Sequence, residues 1–223
     1  MDAVVIMSRI PVPGKTKTRL EGFLTSKECA DLHRAFLKDI LTMRTDKNKF
    51  LSYGDEGPLE LVENILPYDV ETFPQRGENL GEKMKNVFIH LFSLGYENIV
   101  LFGADIPEIT ETDIENALKK LKKSDLVFGP TLDGGYYLVG MKKIHEIVFS
   151  DEIKWGSASV FEKTINLIKK KGIDVDLIDI QEDIDTKDDL INLYKRIKNT
   201  SVCKNTEKFV EGLGERIDGK TNR

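Results

Sequence analysis

Four short stretches carry the residues that could do chemistry. The first is Arg9-Ile-Pro-Val-Pro-Gly14-Lys15-Thr-Lys17-Thr-Arg19-Leu20, which directly follows an apolar run. Arg9, Lys15, Lys17 and Arg19 put four cations into eleven residues of a chain whose formal charge is −5. Arg and Lys match phosphate oxygens in charge and donor geometry. Two prolines stiffen the loop, and Gly14 lets backbone N–H groups approach a ligand. The loop can therefore cradle a triphosphate, although the spacing of a Walker A loop is absent. The alternative reading is a solvated basic loop.

The second stretch is Gln75-Arg-Gly77-Glu-Asn-Leu80-Gly81, where Gln75 can read a base or sugar and Gly77 permits close approach. A plain turn before a helix reads almost as well. The third, Gly103-Ala-Asp105-Ile-Pro107, places a carboxylate where Mg²⁺ could be held, since a hard cation prefers carboxylate and phosphate oxygens. Asp105 could equally cap a turn. The fourth is a pair. Asp133-Gly134-Gly135-Tyr136 suggests a close backbone approach to a substrate. In Asp183-Ile-Asp185-Thr186, Asp185 is a second candidate metal ligand or a helix cap. Trp155, the only tryptophan, is a candidate for lining an acceptor pocket, with buried packing as the commoner role. His33, His90 and His145 are scattered and support no histidine triad or metal site.

These residues need elements to position them. Residues 3–8 form an apolar, β-branched run that suits a buried parallel strand. Thr25-x-x-Glu28 is a capping-box pattern opening a helix whose apolar positions, Ala30, Leu32, Phe36, Leu37, Ile40 and Leu41, recur at helical spacing. Further strands are expected at 50–53, 70–73, 99–102, 126–128, 136–139 and 175–180. Helices are expected at 80–94, from a Thr112-x-x-Glu115 cap through Leu121, at 160–168 and at 188–197. Strands alternate with helices, which argues a mostly parallel sheet covered on both faces. Ligands of such sheets sit outside the carboxyl ends of the strands, where the candidate residues fall. Residues 1–198 read as one domain. From residue 199 to 223 the pattern weakens to a short helix and a loose tail.

Composition narrows the function classes. A formal charge of −5 argues against non-specific nucleic-acid binding, which would need a basic face, although a local basic patch such as the first loop is compatible with it. No apolar stretch is long enough to cross a membrane, and the first residues do not read as a signal peptide. Cys29 and Cys203 belong to no metal or disulfide pattern, so a cytoplasmic protein is expected. Nothing in the sequence fixes an oligomeric state.

Taken in order, the motifs RxPxPGxxKTRL, QxGxxLG, GxDxP, GPxxDGGYYLxG and DxDTxxDL resemble a family of bacterial and archaeal proteins of the DUF2064 type. Its members are described as nucleotide-diphospho-sugar transferases or glycosyltransferases. The wider superfamily includes molybdenum-cofactor and phospholactate guanylyltransferases. The likeness covers roughly residues 4–195. It implies a Rossmann-like GT-A fold, a three-layer α/β/α sandwich. It also implies phosphate binding by Gly14, Lys17 and Arg19, a metal (Mg²⁺ or Mn²⁺) on Asp105 and Asp185, and an acceptor side shaped by Asp133, Gly134 and Gly135. Lys83 stands where the family more often has Arg, and Ala104 and Ile106 replace the expected Ser and Cys.

The favoured chemistry is nucleotidylyl transfer. An oxygen of a small, phosphorylated acceptor attacks the α-phosphate of an NTP, with Lys17, Arg19 and Asp105 as the catalytic set. The runner-up is glycosyl transfer from a nucleotide-sugar at the same site. A catalytically inactive nucleotide sensor is the third reading.

Overall fold

The computed structural model describes residues 1–218. Seven strands form one sheet: β1 (Asp2–Ser8), β2 (Asn48–Tyr53), β3 (Val70–Pro74), β4 (Asn98–Gly103), β5 (Leu126–Pro130), β6 (Tyr136–Met141) and β7 (Val175–Leu177). Their spatial order is β3-β2-β1-β4-β6-β5-β7. All neighbours pair in parallel except at β6, which runs antiparallel to both β4 and β5. The helices are α1 (Ser26–Leu41), α2 (Glu60–Glu63), α3 (Leu80–Ser93), α4 (Glu111–Leu121), α5 (Val160–Lys170), α6 (Lys187–Ile197), α7 (Lys204–Glu211) and α8 (Glu215–Asp218). This is the expected three-layer α/β/α sandwich.

Strand β1 shows how the layers arise. Successive side chains of a strand point to opposite faces. Val4 and Ile6 join Leu37, Ile40 and Leu41 of α1 and Ile114, Ala117 and Leu118 of α4 in one core. Ala3, Val5 and Met7 join Met84, Val87, Phe88 and Leu91 of α3 and Ile168 of α5 in the other. Because β1 is buried on both faces, its sequence is a continuous apolar run rather than an alternation.

Two local expectations are corrected, and the C-terminal stretch shows more order than a short helix alone. Helix α4 is capped by Thr110 and not Thr112: the Asp113 carboxylate accepts the Thr110 N–H at 2.8 Å, so Asp replaces Glu in the capping box. Strand β7 ends at Leu177, after which the chain is held by Ile178 and Gln181 N–H groups donating to Phe128 and Pro130 carbonyls, at 2.9 and 3.1 Å. Residues 199–218 are ordered onto α1. Cys203, Val210, Leu213 and Ile217 are buried in a third cluster with Leu20, Leu24, Phe36, Leu190 and Leu193. The Asp39 carboxylate caps α7 by accepting the Asn205 and Thr206 N–H groups at 2.9 and 2.8 Å. The loose tail expected for the final residues falls on 219–223, which lie outside the described residues.

Candidate active site

The C-terminal ends of β1, β3 and β4, the first turn of α3, one end of β6 and the turn before α6 surround a cavity of about 570 Å³. Of the residues singled out from the sequence, Arg9, Lys17, Arg19, Gln75, Asp105, Tyr136 and Asp185 line it.

Lys17 is its centre. The turn Val12-Pro13-Gly14-Lys15 closes by the Lys15 N–H donating to the Val12 carbonyl at 3.0 Å, with Gly14 at φ +77°. Proline then glycine in the middle of a turn is what a positive φ at the third position requires. Two residues on, Lys17 itself adopts a left-handed conformation, φ 52° and ψ 36°. A non-glycine residue pays roughly 1–3 kcal/mol for such a conformation, and it persists only where surroundings enforce it. Here they do. The Lys17 side chain is only 3% exposed, and its ammonium lies 2.6 Å from Asp105 Oδ1 and 3.6 Å from Asp185 Oδ1. It donates to the Ile184 carbonyl at 2.6 Å. Its nitrogen lies 5.2 Å from the centre of the Phe36 ring. Arg19, by contrast, is 72% exposed and reaches Asp185 Oδ2 at 2.8 Å through Nη1.

The two carboxylates come from distant parts of the chain. Asp105 follows β4, and its carbonyl accepts the Ile184 N–H at 3.2 Å, which draws the loop bearing Asp185 alongside. Capping of α6 falls to Thr186 and Asp189, leaving the Asp185 carboxylate to Lys17 and Arg19. The cavity walls partly desolvate Asp105 and push its carboxyl up, but the Lys17 ammonium, with His33 and Arg9, outweighs this and holds it below the ordinary range. Asp183, also in the cavity wall, behaves oppositely. Burial and the negative charge of Asp105, Asp133 and Asp185 push it up to about 7.

Beneath the loop, buried His33 lies 2.9 Å from Ser8 Oγ, whose hydroxyl donates to the Arg9 carbonyl at 2.8 Å. With the Ser8 proton so used, the His33 Nε2–H is the donor to Ser8, and Nδ1 is buried without a partner. Burial pulls the imidazole down to about 4.

Several expected residues make contacts within the fold. Gly14, Lys15 and Gly77 do not line the cavity, and the Lys15 ammonium donates to the Glu56 carbonyl at 3.0 Å. The Gln75 amide donates to the Ser8 and Ser52 carbonyls, each at 3.0 Å, so it ties β1 to β2 and has only its oxygen left for a ligand. Asp133 accepts from Thr131 Oγ1 at 2.5 Å and Gly135 N–H at 3.0 Å, which shapes the β5–β6 turn. Gly134 is required because a Cβ there would overlap the Ala158 carbonyl oxygen. Trp155 packs on Gly81 and lies outside the cavity wall. Tyr136 does reach the wall, and its hydroxyl is buried without a partner.

Ser8, His33, Glu56, Glu78, Asn79, Lys83 and Asp183 also line the cavity, although the sequence alone assigned them no role in the site. Asp183 was signalled by its place two residues before Asp185. Lys83 was signalled by its place in the first turn of α3, where it forms no ion pair among the described residues.

The donor set suits a hard divalent cation. Asp105, Asp185 and the Ile184 carbonyl offer only oxygens, and a cationic nitrogen already lies among them. Among the described residues, no three acidic, imidazole or thiol side chains converge on one point. Mg²⁺ commonly uses one or two carboxylates and completes its shell with phosphate oxygens and water.

Comparison with known proteins follows the same lines. The family model described as "Uncharacterized protein conserved in bacteria (DUF2064)" matches residues 39–157. A 2-phospho-L-lactate guanylyltransferase of Methanocaldococcus sp. (strain FS406-22) is 30% identical over 207 residues, 92% of this chain and 85% of that protein. The crystal structure of a candidate nucleotide-diphospho-sugar transferase from Desulfovibrio desulfuricans G20 superposes with a TM-score of 0.90 at 32% identity, covering 98% of this chain and 97% of the other. A cytidylyltransferase from Leptospira borgpetersenii shares the fold, with a TM-score of 0.56 at 14% identity over 100% of this chain and 98% of its own.

Proposed function

The chain belongs to the family of bacterial proteins described as DUF2064, and on that premise we propose that it is a nucleotidyltransferase moving a nucleotidyl group from an NTP to a small phosphorylated acceptor. The observation that carries the reading is the meeting of Lys17 and Arg19, from the loop after β1, with Asp105 and Asp185 in one cavity at the strand ends. The guanylyltransferase relative at 30% identity supports the same reaction class.

An acceptor phosphate oxygen attacks the α-phosphorus, the bond to the bridging oxygen of the β-phosphate breaks, and pyrophosphate leaves. The attacking oxygen is already ionised, so no base has to remove a proton. Positioning and charge neutralisation are then the main tasks of the protein. Exposed Arg19 can turn from Asp185 to the β- and γ-phosphates, and Arg9 and Lys83 face the same cavity. Asp105 and Asp185 would hold Mg²⁺ or Mn²⁺, which supplies charge stabilisation at phosphate oxygens. Cys29 and Cys203 are both free and buried, and among the described residues no helix is long and apolar enough to cross a membrane, which supports a cytosolic setting.

Pyrophosphate release tests this. The protein is incubated with Mg²⁺, each NTP in turn and a panel of phosphorylated small acids and alcohols. Acceptor-dependent pyrophosphate is the expected result. The Desulfovibrio relative favours a second reading, glycosyl transfer. Release of nucleoside diphosphate from a nucleotide-sugar, without pyrophosphate, would put that reading first. Nucleotide binding with neither product would leave the sensor.

A further inference from the structure

The geometry points to Lys17 as a resident cation: its ammonium holds the place between Asp105 and Asp185 in the nucleotide-free protein and yields it to a divalent cation only when a triphosphate arrives. The inference rests on the nucleotide-binding reading above and adds an order of loading to it.

An ammonium has three donors. Lys17 aims its nitrogen at Asp105 Oδ1 at 2.6 Å and the Ile184 carbonyl at 2.6 Å, with Asp185 Oδ1 at 3.6 Å. With its side chain 3% exposed beside Phe36, it offers no donor to a phosphate while it stays on these oxygens. The nearest oxygens of both carboxylates face this one nitrogen, and Arg19 takes the second oxygen of Asp185. A divalent cation bound to these carboxylates would sit at roughly 2.0–2.1 Å from its oxygens. It would then lie within a few ångströms of the ammonium, and like charges that close in a partly buried site repel strongly. Metal and ammonium therefore exclude each other on Asp105 and Asp185.

A triphosphate resolves the conflict because it brings acceptors of its own. Lys17 can leave the carboxylates for phosphate oxygens, and the left-handed backbone that its present contacts enforce can relax as it goes. Asp105 and Asp185, relieved of the ammonium, would then hold the divalent cation. Metal alone then binds weakly, and removing the Lys17 charge tightens it.

The test is a calorimetric titration of MnCl₂ into nucleotide-free protein. Lys17→Gln, neutral and nearly as long, is expected to bind Mn²⁺ roughly tenfold or more tightly than wild type. The double variant Lys17→Gln, Asp105→Asn should lose that gain. Mn²⁺ binding no tighter in Lys17→Gln than in wild type overturns the proposal. Should Lys17→Gln not fold, NMR of wild type labelled at lysine Cε replaces it. The Lys17 resonance should hold its position with Mg²⁺ alone and shift when Mg²⁺ and a non-hydrolysable NTP analogue are added together. A shift with Mg²⁺ alone, or none with both, overturns it. Neither readout requires turnover, so a chain that released no pyrophosphate could still pass, and an active one could still fail.

Discussion

Trp155 and Gly81 touch so closely that a Cβ added to Gly81 would lie 2.5 Å from two carbons of the indole. Gly81 is the second residue of α3, whose first turn supplies Leu80 and Lys83 to the cavity wall. The lone tryptophan thus seats a wall of the site from behind. Gly81→Ala should destabilise the fold by about 1–3 kcal/mol, the range for forcing extra volume into a packed contact. Because Trp155 is the only tryptophan, its emission should shift in the variant, and a denaturant series read by that emission measures both effects. An unchanged midpoint with an unchanged spectrum would mean that the contact is loose.

Breaking the pair at the cavity's centre separates structure from function. Asp105→Asn keeps the shape and removes a charge from beside Lys17, which retains Asp185 and the Ile184 carbonyl. A fully buried pair would cost about 3–5 kcal/mol to break. The Asp105 side chain is 52% exposed, so solvent screens it, and about 1 kcal/mol is expected. Thermal melting should therefore move little, while metal affinity in the presence of an NTP falls sharply. A large loss of stability with metal affinity intact would make Asp105 a structural anchor.

His33 makes stability depend on pH. Its folded value is about 4 against an ordinary 6.5, so between those limits the unfolded chain binds more protons than the folded one. The His33 contribution to stability therefore rises with pH across this window, and it is lost as pH falls from 6.5 towards 4. The limiting contribution is on the order of 3 kcal/mol. Asp183, raised to about 7, acts in the opposite sense over the same window, so urea melts at pH 7 and pH 5 are compared between proteins: on going from pH 7 to pH 5, wild type should lose more stability, or gain less, than His33→Gln. Equal slopes in the two proteins would assign the acid sensitivity to other groups.

The carboxylate of Asp39 joins α1 to the C-terminal helices. It accepts from both N–H and side chain of Asn205 and Thr206, at 2.9, 2.7, 2.8 and 2.6 Å. Asp39→Ala removes a helix cap with all its bonds, and about 2 kcal/mol is expected. Limited proteolysis should then cut within residues 199–218 faster than in wild type. Cleavage unchanged in rate and position would mean that the apolar cluster around Val210 and Leu213 suffices.

What the sequence made legible follows from locality. The capping box at Thr25 and Glu28, the apolar runs of β1 and β4, and the strand-end placement of Arg9, Lys17, Asp105 and Asp185 all depend on neighbours in the chain. The reversed direction of β6 was hidden, because Tyr136–Met141 reads as the same apolar run whichever way it pairs. The burial of Lys17 between carboxylates was not legible, since it goes with a left-handed backbone at Lys17 while Lys15 stays on Glu56. The docking of residues 199–218 depends on Asp39, 166 positions before Asn205, and no local pattern records that.

The difference between Lys17 and Arg19 yields the sharpest test of the reaction. Both cations stand on the loop after β1, but Lys17 is locked between carboxylates while Arg19 is 72% exposed. Loss of Arg19 should leave the fold almost untouched, because an exposed ion pair is worth about 0–1 kcal/mol. Its effect should fall on the triphosphate. A nucleotide-sugar has no γ-phosphate for a guanidinium to hold, whereas a departing pyrophosphate needs charge at both its phosphates. Arg19→Ala should therefore weaken NTP binding more than nucleotide-sugar binding. It should also slow pyrophosphate release by about 10²–10³, the range for losing one preorganised donor at developing charge. Lys17→Ala differs, because it also strips the neutralising charge from Asp105 and Asp185 and should lower the melting temperature. Competition titrations of NTP against nucleotide-sugar, with melting curves for both variants, separate the cases. If Arg19→Ala weakened both ligands equally and left pyrophosphate release unchanged, the guanidinium would serve the diphosphate alone, and glycosyl transfer would become the better reading of this site.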